Sequence, residues 1–382
     1  MKLNSFDEWS PLKEVVLGSA QNYTMHERDL SFDMFFYDQL ADQKSFYDHM
    51  YYPRLTPLSG QAESEAPPRF PIKRQYVEEL NEDVEGMADL LTGLGVTVHR
   101  PLAVDDNIEV RTPAWTASVV PPLNVRDNTL VLGDEIIETP PMLRSRYFET
   151  QFLKPIFHKY FNEGARWTVM PRPLMTDSSF DPSYVKGGLV ELVRDPQPGP
   201  LDVGFEMMFD AAQCVRLGKH ILVNMTTANH RMAGDWLRRH LADRFTILPV
   251  YALADSHIDS MILPLRPGLL LVRTPAIFNA LPDELQKWDV IYAPEPQENN
   301  FPTYDDDDLV LTTKYIDLNV LSVGPDTVLA NEANPELVRT LERHGFTVGT
   351  FRHRHRRLFG GGLHCFTLDT VREGSEAADY LS

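Results

Sequence analysis

Cysteine is scarce: Cys214 and Cys365 are the only two in 382 residues. Two thiols build neither a disulfide framework nor a four-cysteine zinc site, so a reducing compartment is expected. Long apolar runs are missing as well. No stretch reaches the roughly 18 apolar residues that a membrane span requires. The opening residues, MKLNSFDEW, are polar and acidic where a signal peptide would be apolar. The expectation is a soluble, cytoplasmic chain. Basic residues are outnumbered, 36 Lys and Arg against 55 Asp and Glu, which leaves a net charge of −19. Such a chain repels phosphate backbones and anionic lipid, so nucleic acid and membranes are excluded as default partners and a small cationic substrate is favoured.

What is present is core material. Hydrophobic residues make up 43% of the chain, which sets whole-chain disorder aside. A strand, a helix and a second strand recur five times in pattern, though not in identity. The leading strands read as 14–18 (EVVLG), 129–133 (TLVLG), 220–224 (HILVN), 269–273 (LLLVR) and 327–331 (TVLAN). Helices follow at about 75–94, 144–162, 228–243, 276–287 and 335–344, with Val77, Leu80, Val84, Met87, Leu91 and Leu94 on one face of the first. Gly95, Gly164 and Gly345 read as helix ends, and Pro155 as a kink. Second strands are expected at 96–100, 167–170, 245–250, 290–293 and 346–351. This alternation is α/β. No linker divides the chain, so residues 1–382 read as a single domain, with a Phe- and Tyr-rich insertion at about 21–69 and an Asp/Pro-rich one at 177–200. Five similar units suggest a closed, pseudo-symmetric arrangement.

Cys365 lies in FGGGLHCFTLD, 359–369. Three glycines before it let the backbone take positive φ and approach a ligand. The run matches neither phosphate-binding glycine motif. Its cysteine reads either as a thiolate nucleophile or as a small buried hydrophobe. Cys214, in a helical-looking segment 211–217, reads as structural. His257 and Asp259 share a face if their segment is extended, a general acid/base beside a carboxylate; no further His/Cys cluster completes a metal shell. His353 and His355, in RHRHRR, read as a charged, solvated stretch, and 305–308 as an exposed acidic loop. Asp127 and Asp210, taken singly, read as cap or turn residues.

Their arrangement is more informative. Asp127, Asp210, His257 and Thr313 precede successive leading strands, and Cys365 follows the last unit. If the five units close into a ring, each offers one polar group to a shared centre. Two acids, a thiolate, a histidine and a hydroxyl suit attack on the carbon of a guanidinium, whose five donors match carboxylates along its edges.

The chain resembles the glycine amidinotransferase family, which includes inosamine-phosphate amidinotransferases and those of toxin and antibiotic pathways. The resemblance runs through WSPLKEVVLG (9–18), GDEIIE (133–138), RSRYFE (144–149), FDAA (209–212), HID (257–259) and GGGLHC (360–365). It implies a five-bladed α/β propeller of the guanidino-modifying superfamily. By position it implies Cys365 as nucleophile, His257 as acid and base, and Asp210 as the acid orienting that histidine. Asp127 and Asp259 would grip the guanidinium, with Thr312 and Thr313 as paired hydroxyls. It further implies a ping-pong transfer from L-arginine to a small-molecule amine, with release of ornithine. It implies neither metal nor organic cofactor, and a homodimer.

Two departures bear on specificity. The glycine-accepting enzymes carry Asn and Met before the histidine, where this chain has the smaller Ala254 and Ser256. The pattern is closer to the specialised-metabolite branch, including saxitoxin-type enzymes, and implies an acceptor larger than glycine. The family's arginine for the donor carboxylate aligns at Ala276, and Arg273 is the candidate replacement. The competing reading on the same fold is an arginine deiminase, with water as acceptor. A non-catalytic binding propeller is disfavoured because nucleophile, base and orienting acid are all present.

Overall fold

The computed structural model describes residues 1–24, 26, 29–35, 72–104, 108–181, 201–251, 253, 257–304, 312–374 and 378–382. It contains strands β1 (Leu12–Leu17), β2 (Thr97–His99), β3 (Glu109–Arg111), β4 (Thr116–Ser118), β5 (Thr129–Leu132), β6 (Glu135–Glu138) and β7 (Arg166–Val169). These are followed by β8 (Cys214–Leu217), β9 (His220–Asn224), β10 (Thr246–Val250), β11 (Ile262–Arg266), β12 (Leu269–Val272) and β13 (Asp289–Tyr292). The last four are β14 (Leu321–Gly324), β15 (Thr327–Asn331), β16 (Thr347–Phe351) and β17 (Thr367–Arg372). Apart from the β3–β4 hairpin, they form five three-stranded sheets: β5-β6-β7, β8-β9-β10, β11-β12-β13, β14-β15-β16 and β17-β1-β2. In each, the middle strand is antiparallel to the first and parallel to the third. A parallel pair needs a crossover, and a helix supplies it after each middle strand. The architecture is an α/β propeller of five blades.

The blades differ from the sequence expectation by one strand. Residues 14–18, 220–224, 269–273 and 327–331 fall on middle strands, but 129–133 falls on the first strand β5, and its middle partner is β6. Two of the first strands are easily overlooked because they carry buried charge: Arg216 in β8, Asp369 and Arg372 in β17. The segment 211–217 is not helical. A single 3-10 turn, Ala211–Gln213, leads into β8, where Cys214 is buried against β9.

The helices follow their apolar faces. Arg74–Gly93 buries Leu80, Val84, Met87 and Leu91, and ends before Leu94, which is 47% exposed. Gly95, Gly164 and Gly345 have φ of 80°, 98° and 85°, the left-handed conformation that stops a helix. Pro155 introduces no kink; it stands in the first turn of Lys154–Asn162, where a missing N–H costs nothing, after two 3-10 turns. Pro282 splits the expected 276–287 helix into Pro275–Asn279 and a 3-10 turn, Leu285–Lys287.

The run 352–357 is not a solvated stretch. His353, His355 and Arg356 are buried. Arg356 pairs with Asp317 at 2.8 Å, Arg354 with Asp83 at 2.9 Å, and His355 contacts Glu79 at 2.5 Å. Of the insertion at 21–69, the described part includes a short helix, Leu30–Phe35. Residues 182–200 and the acidic 305–308 lie outside the described residues, as do Ala254 and Ser256.

The ring is closed by β17 pairing antiparallel with β1, Val15 opposite Asp369 and Leu17 opposite Thr367. A buried ionic network locks this closure. Arg372 donates to Asp369 (2.8 Å) and to the carbonyls of Ser10 (2.7 Å) and Ser322 (2.8 Å). Arg216 grips Glu8 through Nε at 2.8 Å and Nη2 at 2.5 Å, and also bonds Asp369. Arg126 reaches Asp369 at 2.7 Å. Removing one partner of such a network strands the other charge. Arg372→Met is therefore expected to cost about 3–5 kcal/mol, read as a lower midpoint in denaturant unfolding. Among the described residues, no helix is long and apolar enough to cross a membrane.

Candidate active site

One recurring position builds the site: the segment just ahead of each blade's first strand. Asp127 precedes β5, Asp210 precedes β8, His257 and Asp259 precede β11, and Thr312 and Thr313 precede β14. Cys365 sits in the short helix Leu363–Phe366, which runs directly into β17. It therefore opens the fifth blade and is equivalent to the other four positions. Asp127, His257, Asp259, Thr312, Thr313 and Cys365 all line one cleft of about 830 Å³, and Asp210 stands behind His257.

Cys365 is fixed by its backbone. Gly361 has φ of 102°, and a Cβ there would come within 2.7 Å of Asn124 Oδ1 and 3.1 Å of Cys365 Cβ. The Asn319 side-chain carbonyl accepts the N–H groups of Gly362 (3.0 Å) and Cys365 (2.8 Å), tying the glycine turn to the approach to β14. The thiol lies 3.2 Å from Asp259 Oδ2. Burial pushes it well above the ordinary thiol range, and the charges of Asp259 and Asp127 push in the same direction.

His257 bonds Asp210 Oδ2 through Nε2 at 2.9 Å, and its Nδ1 stands 3.7 Å from Asp127 Oδ1. Burial opposes its charge, but Asp127 and Asp210 outweigh burial and raise it from 6.5 to about 9. Asp210 also accepts the Met142 N–H at 3.1 Å; despite burial, His257 holds it below the usual carboxylate range. Asp259 accepts from His364 Nδ1 at 2.8 Å; this contact overcomes burial and holds Asp259 at about 2. Asp127 is pulled up by burial, against the pull of His257 and Arg146.

Among the described residues, four buried polar atoms of the lining have no hydrogen-bond partner: Asp127 Oδ1, Asp259 Oδ1, Asn124 Oδ1 and Thr312 Oγ1. Buried polar atoms are rarely left so. Three acceptor oxygens and a hydroxyl in one cleft suit a ligand rich in N–H donors. Tyr23, Phe35, Leu358 and Phe359 add apolar surface to the lining, and Phe35 stands edge-on to His257 at 5.4 Å. The insertion thus contributes lining residues. Arg273 does not line the cleft; its guanidinium lies over the Tyr315 ring at 4.8 Å.

Sequence reasoning assigned no role to Arg146. Its guanidinium bonds Asp127 at 2.6 Å, Glu149 at 2.5 and 2.9 Å, and the Asn124 carbonyl at 2.9 Å. Burial carries Glu149 up to about 7, against the pull of Arg146. The signal was the RSRYFE run, whose Arg and Glu three residues apart are suited to pairing across one helical turn. Asn319 gave no signal in the sequence, because its role is to accept two N–H groups from 43 and 46 residues away.

The dimethylarginine dimethylaminohydrolase of Pseudomonas aeruginosa shares the fold, with a TM-score of 0.52 at 13% identity, covering 94% of this chain and 98% of that one. Fold and cleft together make the chain an α/β propeller of five blades whose polar groups meet in one cleft. No family model matches it. Inosamine-phosphate amidinotransferase 1 of Streptomyces griseus is 32% identical over 376 residues, 98% of each chain. Its solved structure superposes with a TM-score of 0.78, covering 98% of this chain and 97% of that one. The amidinotransferase of the saxitoxin biosynthetic pathway from Microseira wollei gives 0.74 at 28% identity, covering 98% and 99%. The mitochondrial glycine amidinotransferase of Danio rerio is 30% identical over 98% of this chain and 84% of its own. The chain belongs to the amidinotransferase family and is a transferase.

Proposed function

We propose that this amidinotransferase takes the amidino group of L-arginine onto Cys365 and passes it to an amine larger than glycine, in specialised metabolism. The observation that carries this reading is the pair of carboxylate oxygens, Asp127 Oδ1 and Asp259 Oδ1, left without a hydrogen bond among the described residues in the cleft that holds Cys365 and His257. They suit the two edges of a guanidinium. Its positive charge offsets the acids that hold the thiol protonated, so the thiol proton leaves to solvent as arginine binds. The thiolate attacks the guanidinium carbon, and protonated His257 delivers its Nδ1 proton to the departing nitrogen. The carbon–nitrogen bond breaks, ornithine leaves, and an amidinium remains on sulfur. An acceptor amine then attacks that carbon, His257 takes the amine proton, and the thiolate departs from the new guanidinium. Asp210 orients the imidazole and stabilises its charged form. Arg273, held outside the lining by Met261 and the Tyr315 ring, remains the candidate for the donor carboxylate.

The test is incubation with arginine, with and without a panel of primary amines, followed by product and intact-protein mass. Ornithine that rises only with an amine, together with an amidino adduct on Cys365, is the expected outcome. Citrulline formed without amine would overturn the transfer reading in favour of hydrolysis. Asp127→Asn keeps the shape and removes one carboxylate grip. It should lower kcat/KM for arginine by about 2–4 kcal/mol, roughly 30- to 1,000-fold, while the fold is kept by the Arg146–Glu149 pair.

A further inference from the structure

His364, next to the cysteine, lies outside the cleft lining and is buried between two carboxylates. Its Nδ1 is 2.8 Å from Asp259 Oδ2 and its Nε2 is 3.4 Å from Glu8 Oε2. A neutral imidazole has one N–H and would turn a lone pair toward one of these carboxylates; only the imidazolium donates to both. We propose that His364 is a positioning residue, held as an imidazolium between Asp259 and Glu8, whose charge allows Cys365 to exist as a thiolate. This rests on Cys365 being the nucleophile.

The surrounding charges support it. Asp259 and Glu8 flank His364, and Glu8 is in turn held by Arg216, which shares Asp369 with Arg126 and Arg372. Arg126 also donates to the His364 carbonyl at 2.8 Å. Both flanking acids are held ionised: Asp259 at about 2 and Glu8 well below the carboxylate range, each against its burial. Asp259 Oδ2 receives both the His364 N–H and the Cys365 thiol. The imidazolium draws charge from the oxygen that otherwise retains the thiol proton. It also fixes the carboxylate so that Oδ1 stays unpartnered toward the cleft. A merely structural histidine would need only one of these contacts and no charge.

Two measurements on the full-length enzyme decide it. The first is NMR of histidine-labelled resting enzyme, with His364 identified by its loss in His364→Asn. Both ring nitrogens should carry protons at neutral pH, and a neutral tautomer there would overturn the proposal. The second is the pH dependence of Cys365 alkylation by iodoacetamide without arginine. In His364→Asn, which keeps a donor but no charge, the midpoint should rise by about one unit, a tenfold loss of thiolate at a given pH. A profile superposable on wild type would overturn it. Should this variant fail to fold, His364→Gln, which likewise keeps a donor and no charge, supplies both the assignment and the alkylation profile. Neither readout requires transfer, so failure here is distinct from failure of the nucleophile: if Cys365 variants still turn over arginine, the proposed function falls whatever the state of His364.

Discussion

Cys365→Ser is expected to lower ornithine formation by ~10⁴-fold or more and to abolish the amidino adduct in intact mass. Loss of a nucleophile removes the covalent route, and members of a catalytic unit fail together and not additively. The hydroxyl keeps nearly the same volume, and the backbone bond to Asn319 does not involve the side chain, so the melting temperature should stay close to wild type. That combination matters. Lost activity with retained stability assigns the residue to chemistry, whereas wild-type turnover in the serine variant would remove Cys365 from the mechanism.

His257→Gln should lose roughly 10³–10⁴-fold, because both half-reactions route a proton through one imidazole. Its pH behaviour is the sharper test. The folded value of about 9 lies above the ordinary 6.5, so the charged form is the resting one at neutral pH. Protonation of the departing amine should therefore fall away as pH rises through about 9, and this alkaline limb should vanish in the glutamine variant. The stability consequence has the same sign. The histidine's contribution is fully present below pH 6.5 and is lost as pH rises through 9, so the stability gap between wild type and variant should narrow over that range. A gap that widens with pH would contradict the Asp127 and Asp210 contacts as its cause.

The blades were legible where hydropathy follows burial. Four of the five middle strands are mainly apolar, and the helices between them carry one buried face, so five repeats could be read without any identity between them; in the remaining blade the apolar β5 was read in place of β6, which is bounded by the buried Glu135 and Glu138. Pattern reading failed where charge goes inward. Arg216, Asp369 and Arg372 are almost fully buried, and an inward arginine looks like a surface residue until its partners are known. The same inversion misled the reading of 352–357, where Arg356 is 1% exposed against Asp317. At the site, the equivalence of Asp127, Asp210, His257 and Thr313 was visible in their order along the chain. That Cys365 shares their position was hidden, because β17 reads as a tail until it is paired with β1. Arg146 and Asn319 were silent because each acts on groups that only folding brings near.

The pairing of β17 with β1 also has a consequence in time. During synthesis, four blades can be completed while the first waits for a strand more than 350 positions downstream, Val15 for Asp369. Contacts so distant in sequence are slow to form, and the residue proposed to hold the amidino group is translated immediately before the strand that must dock. A nascent chain is therefore expected to stay chemically silent until its final segment emerges. Premature termination would yield a latent four-bladed fragment with no means of capturing an amidino group.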